Sequence, residues 1–159
     1  MQDRAGRSHE RQTFWSGIML GIGTSGTLDE VILHQLLHWH HFYDRSTPAV
    51  GLVSDGLFHI ASTALLVIGM YRLRNDRGRT PPGWLQRLCG SMLVGAGGFN
   101  LYDGVVQHKL LKLHQVRPGV ANELPYDVAF IGLAIVLLSL GVIVLRRAPP
   151  VRPAGSPTR

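Results

Sequence analysis

Asp29-Glu30-Val31-Ile32-Leu33-His34-Gln35-Leu36-Leu37-His38-Trp39-His40-His41 is matched 74 positions later by Asp103-Gly104-Val105-Val106-Gln107-His108-Lys109-Leu110-Leu111-Lys112-Leu113-His114-Gln115. Acid, four residues, histidine, five residues, histidine is a pattern that no secondary structure requires by itself. Gly21 and Gly23 likewise pair with Gly95 and Gly97, so the duplication reaches back into the apolar segment before each copy. A polar constellation repeated inside apolar surroundings is the first candidate for function.

Outward from these copies, a second set of matches is displaced by 72 positions: Asp55/Asp127, Phe58/Phe130, Leu65/Leu137, Leu66/Leu138, Gly69/Gly141, Leu73/Leu145 and Arg74/Arg146. The chain therefore reads as a two-helix unit used twice. Four apolar runs, near 14–37, 50–71, 84–113 and 125–145, have the roughly 20 residues that a membrane-crossing helix needs. The expected fold is an all-α, polytopic four-helix transmembrane bundle built from two tandem two-helix repeats. Its expected organisation is a cytoplasmic tail over 1–12, a membrane domain over 13–147 and a disordered cytoplasmic tail over 148–159. Repeat one covers about 13–74 and repeat two about 84–147. An even number of crossings per unit gives both copies the same orientation.

Composition agrees with this class. Of the 159 residues only 16% are charged, against roughly 25% in soluble proteins. The net charge of +6 comes from arginines that cluster outside the apolar runs: Arg4, Arg7 and Arg11; Arg72, Arg74, Arg77, Arg79 and Arg87; Arg146, Arg147, Arg152 and Arg159. All three clusters fall on one side of a four-crossing chain, the cytoplasmic side by the positive-inside rule, and both histidine-rich turns fall on the other. That distribution reads as topology and excludes nucleic acid as the partner; the bilayer is the partner expected. Cys89, the single cysteine, excludes an intrachain disulfide and a multi-cysteine metal site. Trp15, Trp39, Trp84, Tyr43 and Tyr126 near the segment ends read as interfacial anchors, and Arg117 as a loop charge.

Ionisable groups within membrane segments are unfavourable by a few kcal/mol, so they normally face the bundle interior and pair there. Counting depth along regular helices places His34, His108 and His59 at one inward level, with Asp29 and Asp103 deeper and Asp55 and Asp127 shallower. On an α-helical wheel Asp29 and His34 lie about 140° apart, and Asp29 and His40 about 16 Å apart along the axis. Neither pair is expected to share an ion. The expected arrangement is His34, His108 and His59 as inward imidazoles, Asp29, Asp103, Asp55 and Asp127 as supporting acceptors or proton carriers, and His38, His40, His41 and His114 as an outer site. Imidazole and carboxylate without thiolate suit a transition metal such as Zn, Cu or Fe. Paired histidines on facing helices, such as His34 and His108, also suit a b-type haem. The alternative is a set of buried polar groups that fixes helix register.

Leu28-Asp29, the run Val31 to His41, Asn100, Asp103-Gly104, His108, Leu110-Leu111, His114 and Val116-Arg117-Pro118-Gly119 resemble a bacterial group of predicted membrane proteins, domain of unknown function number 2243. The resemblance covers roughly residues 13–147. It implies a multi-pass protein of the bacterial inner membrane and no particular activity. The family pattern has Asp-Gly where this chain has Asp29-Glu30, and His-His where it has His114-Gln115, so Glu30 and Gln115 are not assigned as site residues.

The function expected is that of a membrane metalloprotein whose His/Asp site opens to the extracytoplasmic side, for metal handling or redox chemistry. Two other readings stay open: a zinc-type hydrolase with an aspartate as general base, and a non-catalytic assembly factor or partner subunit among respiratory or metal-handling membrane proteins.

Overall fold

A computed structural model describes residues 2–75 and 82–149, and every regular element among them is a helix, with no strand. The elements are α1 (Gln2–Asp29), continued by the π-helix π1 (Glu30–Leu36); α2 (Pro48–Asn75); α3 (Trp84–Tyr102), continued by the π-helix π2 (Asp103–Leu110); and α4 (Leu124–Arg146). Residues 2–12, expected as a tail, are the first turns of α1. Most of the expected disordered tail, from 150 onward, lies outside the described residues.

α2 and α4 are long and apolar enough to cross a membrane, with mean hydropathies of 1.6 and 3.0. α1 and α3 fall short of that criterion: the apolar stretch of α1 is diluted by Gly, Ser and Thr, and that of α3 by its glycines together with Gln86, Arg87 and Asn100. Those small residues form the interior. α1 packs on α3, α2 on the outside of α1, and α4 on the outside of α3. Gly21 faces the backbone carbonyl of Met92 and Gly95 that of Ile18, so a Cβ at either would collide with the opposite main chain.

Apart from Leu20, Leu88 and Val116, what is buried is small or polar, including Ser16, Ser91, Ser62 and Ala134, while Leu52, Val53, Leu57 and Ile60 of α2 and Val128, Leu133 and Ile135 of α4 are exposed. Small residues inside and large apolar ones outside is the arrangement that lipid, and not water, rewards.

One end of the molecule gathers basic residues: Gln12 Nε2 donates to the Arg72 carbonyl at 2.7 Å, and Arg87 pairs with Glu10 at 2.8 Å. The duplicated stretches occupy the other end. There each α-helix loosens into i→i+5 bonding and stops. Leu37 N donates to Ile32 O and Trp39 N to Leu33 O, both at 2.9 Å. The same two bonds close π2, from Leu111 N to Val106 O at 2.8 Å and from Leu113 N to Gln107 O at 2.9 Å. The residue between each pair is left-handed, His38 at φ 49° and Lys112 at φ 50°. Each chain then turns back toward the bundle instead of running on outward.

Candidate metal centre

The π-helices decide the geometry of the site. An i→i+5 turn is wider than an α turn, so residue i+5 comes to stand over residue i. Asp29 and His34, like Asp103 and His108, are five apart and now share a face. His34 Nε2 lies 3.5 Å from Asp29 Oδ2, and His108 Nε2 lies 2.9 Å from Asp103 Oδ2. The left-handed turn then returns His40 and His114 to the same level: the His34 and His40 rings are 4.6 Å apart and the His108 and His114 rings 4.5 Å. The expectation that Asp29 could share an ion with neither histidine is thus corrected, because it assumed a regular helix.

Two sets of like composition result. Asp29, His34 and His40 offer ligand atoms within 4.8 Å of one another, and so do Asp103, His108 and His114. They lie side by side, with the His40 and His114 rings stacked at 4.7 Å. Phe58 walls His34 at 6.0 Å and Phe130 walls His108 at 5.3 Å. Below them Ser25 Oγ donates to Asn100 Oδ1 at 2.8 Å, a buried bond that ties α1 to α3.

The hydrogen bonds around the rings fix which nitrogen is free. His40 Nδ1 donates to the carbonyl of Val116 and His114 Nδ1 to the carbonyl of Phe42, each at 2.9 Å. A carbonyl only accepts, so both Nδ1 atoms carry hydrogen, and in the neutral ring Nε2 holds a lone pair. His34 Nδ1 faces the carboxylates of Glu30 at 2.7 Å and Asp55 at 3.2 Å, with the same consequence.

His34 Nε2, His40 Nε2 and His108 Nδ1 are buried without a hydrogen-bond partner among the described residues, and His108 Nε2 has the Asp103 carboxylate at 2.9 Å. Buried ring nitrogens left unpaired beside carboxylates form a donor set that fits a metal ion. In the turns outside the helices, burial and the neighbouring His114 and His34 push the His40 pKa down to about 3, which keeps this ring neutral. Burial acts to lower the pKa of His114 as well, but the Asp103 carboxylate outweighs it and the value is raised.

Other expected site residues stand elsewhere. His59, placed inward by depth counting, is exposed on α2. His38 is exposed and serves as the left-handed turn residue. His41 is half-buried and bonds Asp55 Oδ2 at 2.6 Å. The outer site therefore does not form: His40 and His114 join His34 and His108, and His38 and His41 stay out. Asp55 supports the first set, also accepting from Phe42 N at 2.7 Å. Asp127 pairs with Lys109.

Glu30 was missed. It is 2% exposed, accepts from Gln35 at 2.8 Å and completes a third possible ligand group with His34 and Asp55. Its spacing of four from His34 was the available signal. Arg117 is no plain loop charge: its guanidinium lies 5.0 Å from the Trp39 ring and 5.2 Å from that of Tyr126, and it donates to the Tyr126 hydroxyl at 2.6 Å.

A family model described as "Predicted membrane protein (DUF2243)" matches residues 16–148. No curated protein and no solved structure matches the chain.

Proposed function

The chain belongs to that family of predicted membrane proteins, and from this premise we propose that it is a four-span metalloprotein of the bacterial inner membrane that binds two adjacent transition-metal ions. Its two tandem two-helix repeats contribute one Asp-His-His set each, and its termini are cytoplasmic. The recurrence of the turn bonds, the left-handed residues and the ligand sets at one spacing supports the repeat. The arginine-rich end opposite the site supports the orientation.

The observation that carries the metal reading is the convergence of Asp29, His34 and His40, and of Asp103, His108 and His114, with ring nitrogens left unpaired in each set. Two imidazoles and one carboxylate leave coordination positions open and suit Fe(II) or Zn. Ions suit this space better than haem. The four imidazoles already form a continuous row, His34–His40–His114–His108, with successive rings 4.5 to 4.7 Å apart, where a porphyrin would need a slot between facing rings. The sets are also closed in: Asp103, His108 and His114 are 4%, 1% and 4% exposed. That enclosure favours a resident redox or metal-handling centre over a hydrolase, whose substrate must reach the ion.

Metal analysis and optical spectra of the purified full chain in detergent test this. About two ions per chain and no Soret band are expected. A stoichiometric haem, or failure both to retain and to load any transition metal, overturns the proposal.

A further inference from the structure

The two ligand sets share a plan, but their surroundings differ. Around His34, Glu30 Oε2 lies 2.7 Å and Asp55 Oδ1 3.2 Å from Nδ1, and both carboxylates are almost fully buried. At the corresponding place in the second half, Gly104 stands where Glu30 does, so no carboxylate projects from that position. Asp127 stands where Asp55 does, but Lys109 Nζ bonds its Oδ2. Lys109 in turn occupies the place of Gln35, and also donates to Gln115 Oε1 at 3.0 Å. His108 Nδ1 is left without a hydrogen-bond partner among the described residues, on a side chain 1% exposed.

We infer that the two metal positions are unequal: Glu30 and Asp55 act as positioning residues that make the Asp29/His34/His40 position the tighter one, and Lys109 weakens the other by holding Asp127 away from His108. The inference rests on the two-ion reading above. Two physical effects point the same way. A ligating imidazole whose second N–H is held by a carboxylate is fixed in orientation and more basic, and losing that partner typically costs about 10- to 100-fold in metal affinity. The local charge adds to this, since Glu30 brings an anion beside the first position and Lys109 a cation beside the second. A divalent ion is favoured at the first and opposed at the second.

The test is titration of the metal-free full chain in detergent with Co2+, whose visible bands report the ligand set, and with Zn2+ followed calorimetrically. Two steps separated by about tenfold or more are expected. Glu30→Gln and Asp55→Asn weaken the first step by about 10- to 100-fold while the Co2+ band shape of that step is kept. Lys109→Gln, a change at a partly exposed side chain, frees Asp127 and tightens the second step; Lys109→Arg leaves it weak. Two equal steps in the unaltered chain overturn the inference. So does a first step insensitive to Glu30→Gln, a band shape altered by it, or a second step unmoved by Lys109→Gln. Absence of any binding by the unaltered chain overturns the two-ion reading instead.

Discussion

His40 donates its Nδ1 hydrogen to the carbonyl of Val116, 76 residues away, at 2.9 Å. His114 donates likewise to the carbonyl of Phe42, so each half of the chain aims the other half's histidine. With Nδ1 so engaged, each ring has only Nε2 to offer, and His40 Nε2 is buried with no hydrogen-bond partner among the described residues. Val116 is itself one of the few buried hydrophobic residues, at 5% exposure, which makes its carbonyl a fixed anchor. Replacing either histidine should remove one ligand and its cross-brace together. His40→Ala and His114→Ala are each expected to lose one bound ion per chain, measured by elemental analysis; retention of both ions in either variant would contradict the assignment.

In the two-ion reading proposed above Asp29 and Asp103 act as ligands, and Asn keeps their shape while removing the charge. Asp29→Asn and Asp103→Asn should therefore weaken metal binding by more than the roughly 10- to 100-fold typical of residues that only support a ligand. Competition against a chelator of known affinity measures this. A weakening below tenfold in both variants would return the aspartates to a supporting role.

Metal removal should lower stability as well, because ions that bind only the folded chain stabilise it by mass action, about 2.7 kcal/mol per site at a hundredfold excess over Kd. Stripping the ions should lower Tm and reloading should restore it. An unchanged Tm after complete removal would argue against ions at these positions.

His38 occupies a left-handed position and faces outward, a conformation that costs a non-glycine residue about 1–2 kcal/mol, although histidine tolerates it better than most. His38→Gly is expected to keep both ions and to shift stability by no more than about 1 kcal/mol. His59→Ala, on the exposed face of α2, should also leave metal content unchanged. Loss of an ion from either variant would restore these residues to the ligand set.

Gly21 and Gly95 admit no side chain where α1 and α3 touch. Gly21→Val or Gly95→Val should force the helices apart, at a cost of about 1–3 kcal/mol or more, and with them the two ligand sets. Lower yield, lower Tm and loss of both ions are expected together. Wild-type Tm in either variant would show that this contact does not hold the bundle.

Much of this was legible in the residues. Asp29, His34 and His40 stood out because the same spacing recurs at Asp103, His108 and His114, and glycines at matched positions marked the close helix contacts. Depth counting failed for His59 because it gives level and not facing, and α2 turns that side outward. His38 failed for a different reason: histidine was read as a ligand where the chain needed a residue tolerant of positive φ.

The sequence by itself determined a helical chain with basic ends, four apolar runs and a doubled acid–histidine–histidine spacing, because hydrophobic runs, charge clusters and repeats are local properties of the residue order. Only the tertiary structure decided which of those groups meet. On a regular α-helix Asp29 and His34 point about 140° apart. The widened π turn puts them on one face, and the left-handed residue after it folds His40 back to them. That choice depends on backbone hydrogen bonds such as Trp39 N to Leu33 O and on the cross-chain carbonyls of Val116 and Phe42, none of which leaves a signature in residue type.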